Sequence, residues 1–164
     1  MNNETKRLAN FPISFFSVTM GLAGFSIAAQ KIEALTGINN NGSIFLLGIT
    51  IVVFITLLSS YFLKIFLHHN EIKKEFSHPV RLNFFPTISI SLLLISIALL
   101  PLSHISSMCV WWVGTILHLY FTLTILSIWI QHTKFEITHM SPAWFIPVVG
   151  NILVPIAGVH HVTT

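Results

Sequence analysis

The chain contains five long runs of apolar residues, and the length of these runs limits the folds that it can adopt. They cover approximately residues 11–29, 43–67, 82–100, 108–130 and 142–158. A helix needs about 20 predominantly apolar residues to cross the hydrocarbon core of a bilayer. A membrane β-strand would instead show roughly ten residues of alternating polarity. The sequence therefore predicts an all-α integral membrane protein with five transmembrane helices, in a single membrane domain that covers residues 1–164.

The composition supports a membrane location and excludes several other classes of protein. Charged residues make up only 8% of the chain and apolar residues 54%, whereas a soluble domain usually carries about a quarter charged residues. The net charge of +3 comes without a basic patch interleaved with aromatic residues, so nucleic acid is not an expected partner. Cys109 is the single cysteine, which excludes an internal disulfide and a cysteine zinc cluster. We expect no metal and no cofactor.

A short polar stretch, SHPVRLNFFP at residues 77–86, marks the start of the third run. Pro79 disfavours helical geometry at His78, while Pro86 falls in the first turn of the following helix, where a missing N–H group costs little. His78, Pro79 and Arg81 are therefore predicted to form a motif at the cytoplasmic interface. Contact with lipid phosphate and helix capping are the two roles expected for His78 and Arg81.

The positive charges are distributed unequally between the two sides of the predicted bundle. If each run crosses the membrane once, one side receives Lys6, Arg7, Lys64, Lys73, Lys74, Arg81 and Lys134. The other side receives only Lys31. Because cytoplasmic segments are enriched in Lys and Arg, the N-terminus is predicted to be cytoplasmic and the C-terminus to lie on the outer side.

Small, polar and proline residues are concentrated in the odd-numbered runs, whereas the second run is rich in bulky aliphatic residues. The first run carries a small-residue stripe, which consists of Ser17, Gly21, Gly24 and Ala28 and permits close approach of another helix. We predict that inner, odd-numbered helices line a path through Gly21, Gly24, Thr87, Ser91, Gly150 and Asn151. Pro86, Pro147 and Pro155 are the predicted helix kinks. The alternative is ordinary helix packing, with the hydroxyl groups bonded to their own backbone.

Four segments together resemble a known family. They are FPISFFSVTMGLAG, HPVRLNFFP, WWVGTILHLYFTLTILSIWI and SPAWFIPVVGN, in this order along the chain. They are similar to the family of tellurite-resistance protein A, C4-dicarboxylate carriers and slow-type anion channels. The resemblance implies ten membrane helices, arranged as five hairpins around a pore that is lined by the odd-numbered helices. It also implies passive movement of small anions, trimeric assembly and a location in the bacterial inner membrane.

The chain differs from that family in length, because it ends after the fifth predicted helix. It corresponds to about half of the ten-helix fold, and the ninth helix, which carries the family's gating phenylalanine, has no counterpart. We therefore expect a truncated product or one half of a split protein. The expected partners are the lipid bilayer, small anions and the missing C-terminal half or another subunit, with a homotrimer formed by the complete protein.

Two other classes of function remain as alternatives. The first is a membrane assembly subunit that transports nothing. The second, and weaker, is an intramembrane enzyme, for which Ser26 in the segment GFSIA would be the nucleophile and His118 the base. No HExxH pair and no carboxylate falls within any predicted span, so we expect no catalytic activity. His118 lies at mid-span in the fourth run, where we expect it to bond a neighbouring helix rather than a metal or a proton path.

Overall fold

The computed structural model describes residues 8–37, 41–131 and 141–162. Regular structure in these segments is helical throughout. Five helices are long and apolar enough to cross a membrane, and we number them as spans in chain order: Ile13–Thr36, Gly42–Leu67, Arg81–Leu99, His104–Gln131 and Pro142–His161. Each of them overlaps one of the predicted runs. A short amphipathic helix, His69–Phe76, connects the second span to the third.

Three of the spans begin with a 3₁₀ turn before they continue as α-helices. The turns are Ile13–Phe15, Arg81–Phe84 and Pro142–Phe145, and the helices that follow are Phe16–Thr36, Pro86–Leu99 and Ile146–Val162. Pro12 precedes the first of these turns, Pro142 begins the last, and Pro86 begins the helix that follows the middle one. At such positions the missing N–H group of proline would have no intrahelical partner anyway. Pro86 is the first residue of its helix. It therefore begins that helix, whereas it was also predicted to kink it.

The third span lies at the centre of the bundle. About 72% of its apolar window is buried, compared with 22–28% for the other four. It packs against all four other spans, while the first packs on the second and the fourth packs on the fifth. The second and fourth spans expose bulky side chains such as Phe45, Val52, Ile116 and Leu123. These exposed surfaces suit contact with lipid.

Polar side chains join the spans inside the bundle. The hydroxyl oxygens of Thr19 and Ser91 are 2.6 Å apart and connect the first span to the third. The Gln30 amide donates to the carbonyl oxygen of Ala98 at 2.8 Å, and the Ser107 hydroxyl donates to that of Ser96 at 2.7 Å. Since hydrocarbon offers no hydrogen-bonding partners, such groups are satisfied within the protein.

The first span extends further than predicted, and this extension brings a carboxylate into it. Glu33 lies in its last turns and accepts hydrogen bonds from the backbone N–H, at 3.0 Å, and the hydroxyl of Ser43. It thereby caps the start of the second span, where negative charge is favourable. Gly37 ends the helix with a φ of +69°, a left-handed geometry that glycine adopts readily. The expectation that no span contains a carboxylate is therefore wrong for Glu33.

Candidate functional site

His118 is the centre of a buried polar junction between the third, fourth and fifth spans. Its side chain is 0% exposed. The Nδ1 atom lies 2.9 Å from the Ser89 hydroxyl oxygen, and Nε2 lies 3.1 Å from the carbonyl oxygen of Pro147. A carbonyl oxygen only accepts, so the geometry assigns the proton to Nε2. As expected, His118 bonds neighbouring helices.

Gly150 allows the fifth span to approach this histidine. A Cβ atom at position 150 would lie 2.1 Å from Cε1 and 2.4 Å from Nε2 of His118, distances that exclude any side chain without a rearrangement. The Thr122 hydroxyl lies 3.3 Å from Nε2, and the Asn151 amide donates to the Pro147 carbonyl oxygen at 3.0 Å. We call Ser89, His118, Thr122, Pro147 and Gly150 the polar junction.

Thr87 and Ser91, the pore-lining candidates of the third span, are both fully buried. The Thr87 hydroxyl donates to the carbonyl oxygen of Phe84. The Ser91 hydroxyl lies 2.7 Å from the carbonyl oxygen of Thr87 and also contacts Thr19. Both hydroxyls therefore serve helix packing in this chain, which was the alternative given for them, and their lining of a path stays a prediction.

Gly21 and Gly24, the candidates of the first span, are placed differently. No atom lies within 4 Å of a Cβ built at either position. Of the small-residue stripe, Ser17, Gly21 and Ala28 are exposed and Gly24 is half-buried, while the buried face of this helix carries Phe16, Thr19, Ala23 and Ser26. The stripe is therefore an open surface of the first span, and Asn151 on the fifth span is also exposed.

The structure thus does not bring the six pore-lining candidates together. Gly150 belongs to the polar junction and Asn151 adjoins it, Thr87 and Ser91 lie one turn apart in the core, and Gly21 and Gly24 lie on the open surface of the first span. Of the predicted kinks, Pro147 contributes its carbonyl oxygen to the polar junction. Pro155 lies inside the fifth span and follows Val154, whose carbonyl oxygen accepts a hydrogen bond from Trp111 Nε1 at 2.8 Å.

The interface motif forms a compact turn at one end of the bundle, which we call the motif end. The His78 Nδ1 atom accepts the backbone N–H groups of Val80, at 3.3 Å, and Arg81, at 3.5 Å. The Asn83 amide donates to the Pro79 carbonyl oxygen at 2.9 Å. His78 thus caps the turn, one of the two roles expected for it, while the Arg81 side chain is exposed.

A buried ion pair lies beside this motif and was not anticipated from the sequence. Lys64 is 1% exposed and Glu75 is 4% exposed, and the Lys64 ammonium lies 2.9 Å from the Glu75 carboxylate. The ammonium also donates to the Phe11 carbonyl oxygen at 2.8 Å, and the Tyr61 hydroxyl donates to Glu75 at 3.0 Å. The available signal was a lysine in the last turn of an apolar run, with a glutamate eleven residues further on.

The serine and histidine considered for an enzyme are not paired. The Ser26 hydroxyl donates to the carbonyl oxygen of Ser43 at 3.1 Å, whereas His118 contacts Ser89. Ser89 and His118 are both fully buried.

Five apolar helices joined by buried polar contacts define a polytopic α-helical membrane protein. Residues 10–164 match the SLAC1 family, described as voltage-dependent anion channels, and the chain belongs to this family. This confirms the resemblance found in the sequence, and it places the chain in a class of integral membrane transporters and channels.

Two curated relatives are named as transporters and another as a tellurite resistance protein. The chain is 26% identical over 153 residues to an uncharacterized transporter of Methanocaldococcus jannaschii. This match covers 92% of this chain and 45% of that protein. A second uncharacterized transporter of the same organism is 25% identical, with coverages of 92% and 44%. A tellurite resistance protein TehA homolog of Haemophilus influenzae is 29% identical over 140 residues, with coverages of 85% and 42%. The chain thus spans less than half the length of these relatives.

Proposed function

We propose that the chain forms one half of a ten-helix channel or passive carrier for small anions and conducts only together with a C-terminal half. The observation that carries the proposal is the match of residues 10–164 to an anion-channel family. Its five spans are half of the ten that the family resemblance implies, and it covers 45% of a transporter relative. Half of such a bundle would leave the surfaces that face the pore open.

The open glycines of the first span support a role in lining the path. Gly21 and Gly24 meet no neighbouring atom, whereas Gly114 and Gly150 are closely packed against side chains of other spans. Glycine is thus used in two ways in this bundle, for tight helix contact and for open space. We propose that the open positions, with Asn151 on the fifth span, face the anion path in the complete protein.

We also propose a membrane and an orientation for the chain. The bacterial inner membrane is proposed from the family resemblance, and the orientation, with the N-terminus in the cytoplasm and the C-terminus outside, is supported by the distribution of lysine and arginine. The complete protein is proposed to be a homotrimer, and the chain to be a transporter component rather than an enzyme.

Flux through proteoliposomes tests this proposal. The chain is co-expressed with the C-terminal part of the Haemophilus influenzae relative, and chloride or nitrate efflux is compared with that of either part alone. Efflux is expected only from the pair. Gly21→Leu should reduce this efflux strongly, because the added side chain enters the path. The matched control is Gly48→Leu on the second span, another helical glycine with no atom within 4 Å of its Cβ position.

Two results would contradict the proposal. One is the absence of anion efflux from a pair that co-purifies. The other is an equal loss of flux from Gly21→Leu and from Gly48→Leu, which would indicate a general effect of added bulk on folding.

An assembly subunit that transports nothing is the second candidate. The exposed small-residue stripe of the first span favours it, since such a surface suits close packing with a helix from elsewhere. For this candidate the two parts would co-purify without efflux of any anion, and Gly21→Leu would abolish co-purification while Gly48→Leu would not.

A further inference from the structure

A cavity of about 350 Å³ opens at the motif end, between the starts of the first and third spans and the connecting helix. Its polar wall includes Ser14, Lys64, Glu71, Glu75 and Arg81. None of the six pore-lining candidates belongs to it. The cavity lies at the ends of the spans, the level at which lipid headgroups meet a membrane protein.

Arg81 carries the unbalanced charge in this wall. Lys64 and Glu75 neutralise each other in their buried ion pair. Glu71 accepts a hydrogen bond from Lys74 at 2.7 Å, which holds the pKa of its carboxyl below its ordinary value, so the carboxylate is already engaged by a cation. Arg81 is exposed and forms no ion pair with any residue in the described segments. One positive charge therefore remains to attract an anion.

Further hydrogen-bond donors lie in the same wall. Ile13 and Ser14 form the first turn of the first span, where backbone N–H groups precede any intrahelical acceptor and no side chain caps the helix. The Lys64 ammonium has three donors, of which the Phe11 carbonyl oxygen and Glu75 use two. Donors from three separate elements thus surround the cavity.

We propose that this cavity binds a phosphate-bearing monoanion through Arg81, either the phosphodiester of an anionic lipid or free inorganic phosphate. The planar guanidinium offers paired donors that match two oxygens of a phosphate. Because one positive charge in the wall is unbalanced, the wall matches a ligand with a single negative charge better than a doubly charged ligand. A phosphodiester carries a single negative charge, so it suits this balance. The proposal does not depend on anion transport by the chain.

Native mass spectrometry of the purified 164-residue chain tests the site. The chain in detergent is titrated with phosphatidylglycerol, with phosphatidylcholine and with inorganic phosphate. The wild type is expected to bind one phosphatidylglycerol more tightly than phosphatidylcholine. Arg81→Gln should weaken this binding by about tenfold, the loss typical of a charge-assisted hydrogen bond, and Arg81→Lys should weaken it less. Lys73→Gln is the matched control, because Lys73 is an exposed cation of the connecting helix outside the cavity wall.

A second titration separates the two sources of phosphate. Displacement of the bound lipid by millimolar inorganic phosphate would show that the cavity accepts the free ion, and retention of the lipid would assign the site to headgroups. Equal weakening by Arg81→Gln and Lys73→Gln would overturn the proposal. Lack of any preference for phosphatidylglycerol, combined with no phosphate binding, would overturn it as well. Circular dichroism of each variant confirms that the helices remain formed.

Discussion

At the scale of single residues, burial decides the energetic importance of two similar ion pairs at the motif end. Lys64 and Glu75 have side chains that are 1% and 5% exposed, whereas Lys74 and Glu71 are 70% and 39% exposed. Removing one partner of a buried pair leaves the other charge unpaired in a medium of low polarity. Removing one partner of an exposed pair leaves the other in water.

Glu75→Gln is therefore expected to reduce the free energy of unfolding by about 3–5 kcal/mol. Glu71→Gln, the exposed counterpart, should change it by about 1 kcal/mol or less. The measurement is SDS-induced unfolding in mixed micelles. The double variant Lys64→Met/Glu75→Leu should recover much of the lost stability, because it leaves no buried charge. If Glu75→Gln and Glu71→Gln prove equally mild, the buried pair is not formed.

Glycine positions on the first and fifth spans make a second contrast. Gly150→Ala would place a methyl group against the His118 ring, which is held by Ser89 and by the Pro147 carbonyl oxygen. We expect a loss of roughly 1–3 kcal/mol, as in other overpacked cores. Gly24→Ala has open space and should instead stabilise its helix by about 0.5–1 kcal/mol. The same unfolding assay measures both, and a neutral Gly150→Ala would show that the fifth span stands further from His118.

At the scale of whole helices, the fourth and fifth spans fit together through two glycines. Gly150 faces His118, and Gly158 faces Trp111, whose Cζ2 atom would lie 2.9 Å from a Cβ at position 158. The Trp111 indole also donates to the Val154 carbonyl oxygen. Small residues of the fifth span thus pack against large side chains of the fourth along their interface.

A double-mutant cycle tests this fit. Gly158→Ala alone is expected to cost about 1 kcal/mol or more, because the indole must move. In a Trp111→Phe background the same substitution should cost less, since the smaller ring leaves room, with a coupling of about 0.5 kcal/mol or more between contacting residues. Strict additivity of the two substitutions would indicate that they do not touch.

The sequence predicts well where the spans of this bundle lie along the chain, but it predicts poorly which face of each span is buried. Span length is visible because hydrocarbon thickness sets the number of apolar residues required. The rotation of each helix about its own axis is not visible in the sequence, because these helices are apolar on nearly every side. The small-residue stripe with Gly21 was expected to pack closely on another helix, and it is open in this chain. The opposite face, which includes Thr19, is buried instead.

Contacts between distant residues account for the rest of what the sequence did not reveal. Ser91 meets a threonine 72 positions earlier in the chain, and His118 meets residues 29 positions away in both directions. No local pattern encodes such pairings. A polar residue in mid-span signals that a partner exists, which is why the interhelical role of His118 was foreseen although its partners were not.

At the scale of the whole molecule, the third span contacts each of the other four, and those four keep most of their surface exposed. The first and fifth spans each pack on the third and make no extended contact with each other. Their outer surfaces carry the open glycines and Asn151. A central helix with two such open flanks agrees with a structure that is completed by further helices, as the proposed function requires.

The orientation of this bundle in the membrane can be tested directly. The positive-inside bias counts Lys and Arg rather than net charge, so Lys64, Lys73, Lys74 and Arg81 together mark the motif end, although Lys64 and Lys74 are paired with glutamates. The segment 101–107 carries no Lys or Arg. In a chain with Cys109→Ser, a cysteine at Leu102, which lies between the third and fourth spans, should react with an impermeant maleimide on intact cells, whereas one at Lys73 should react only after permeabilisation. Both positions are exposed, so access to the reagent depends on the side of the membrane. The reverse labelling pattern would place the N-terminus outside. It would show that the distribution of Lys and Arg does not set the topology of this chain.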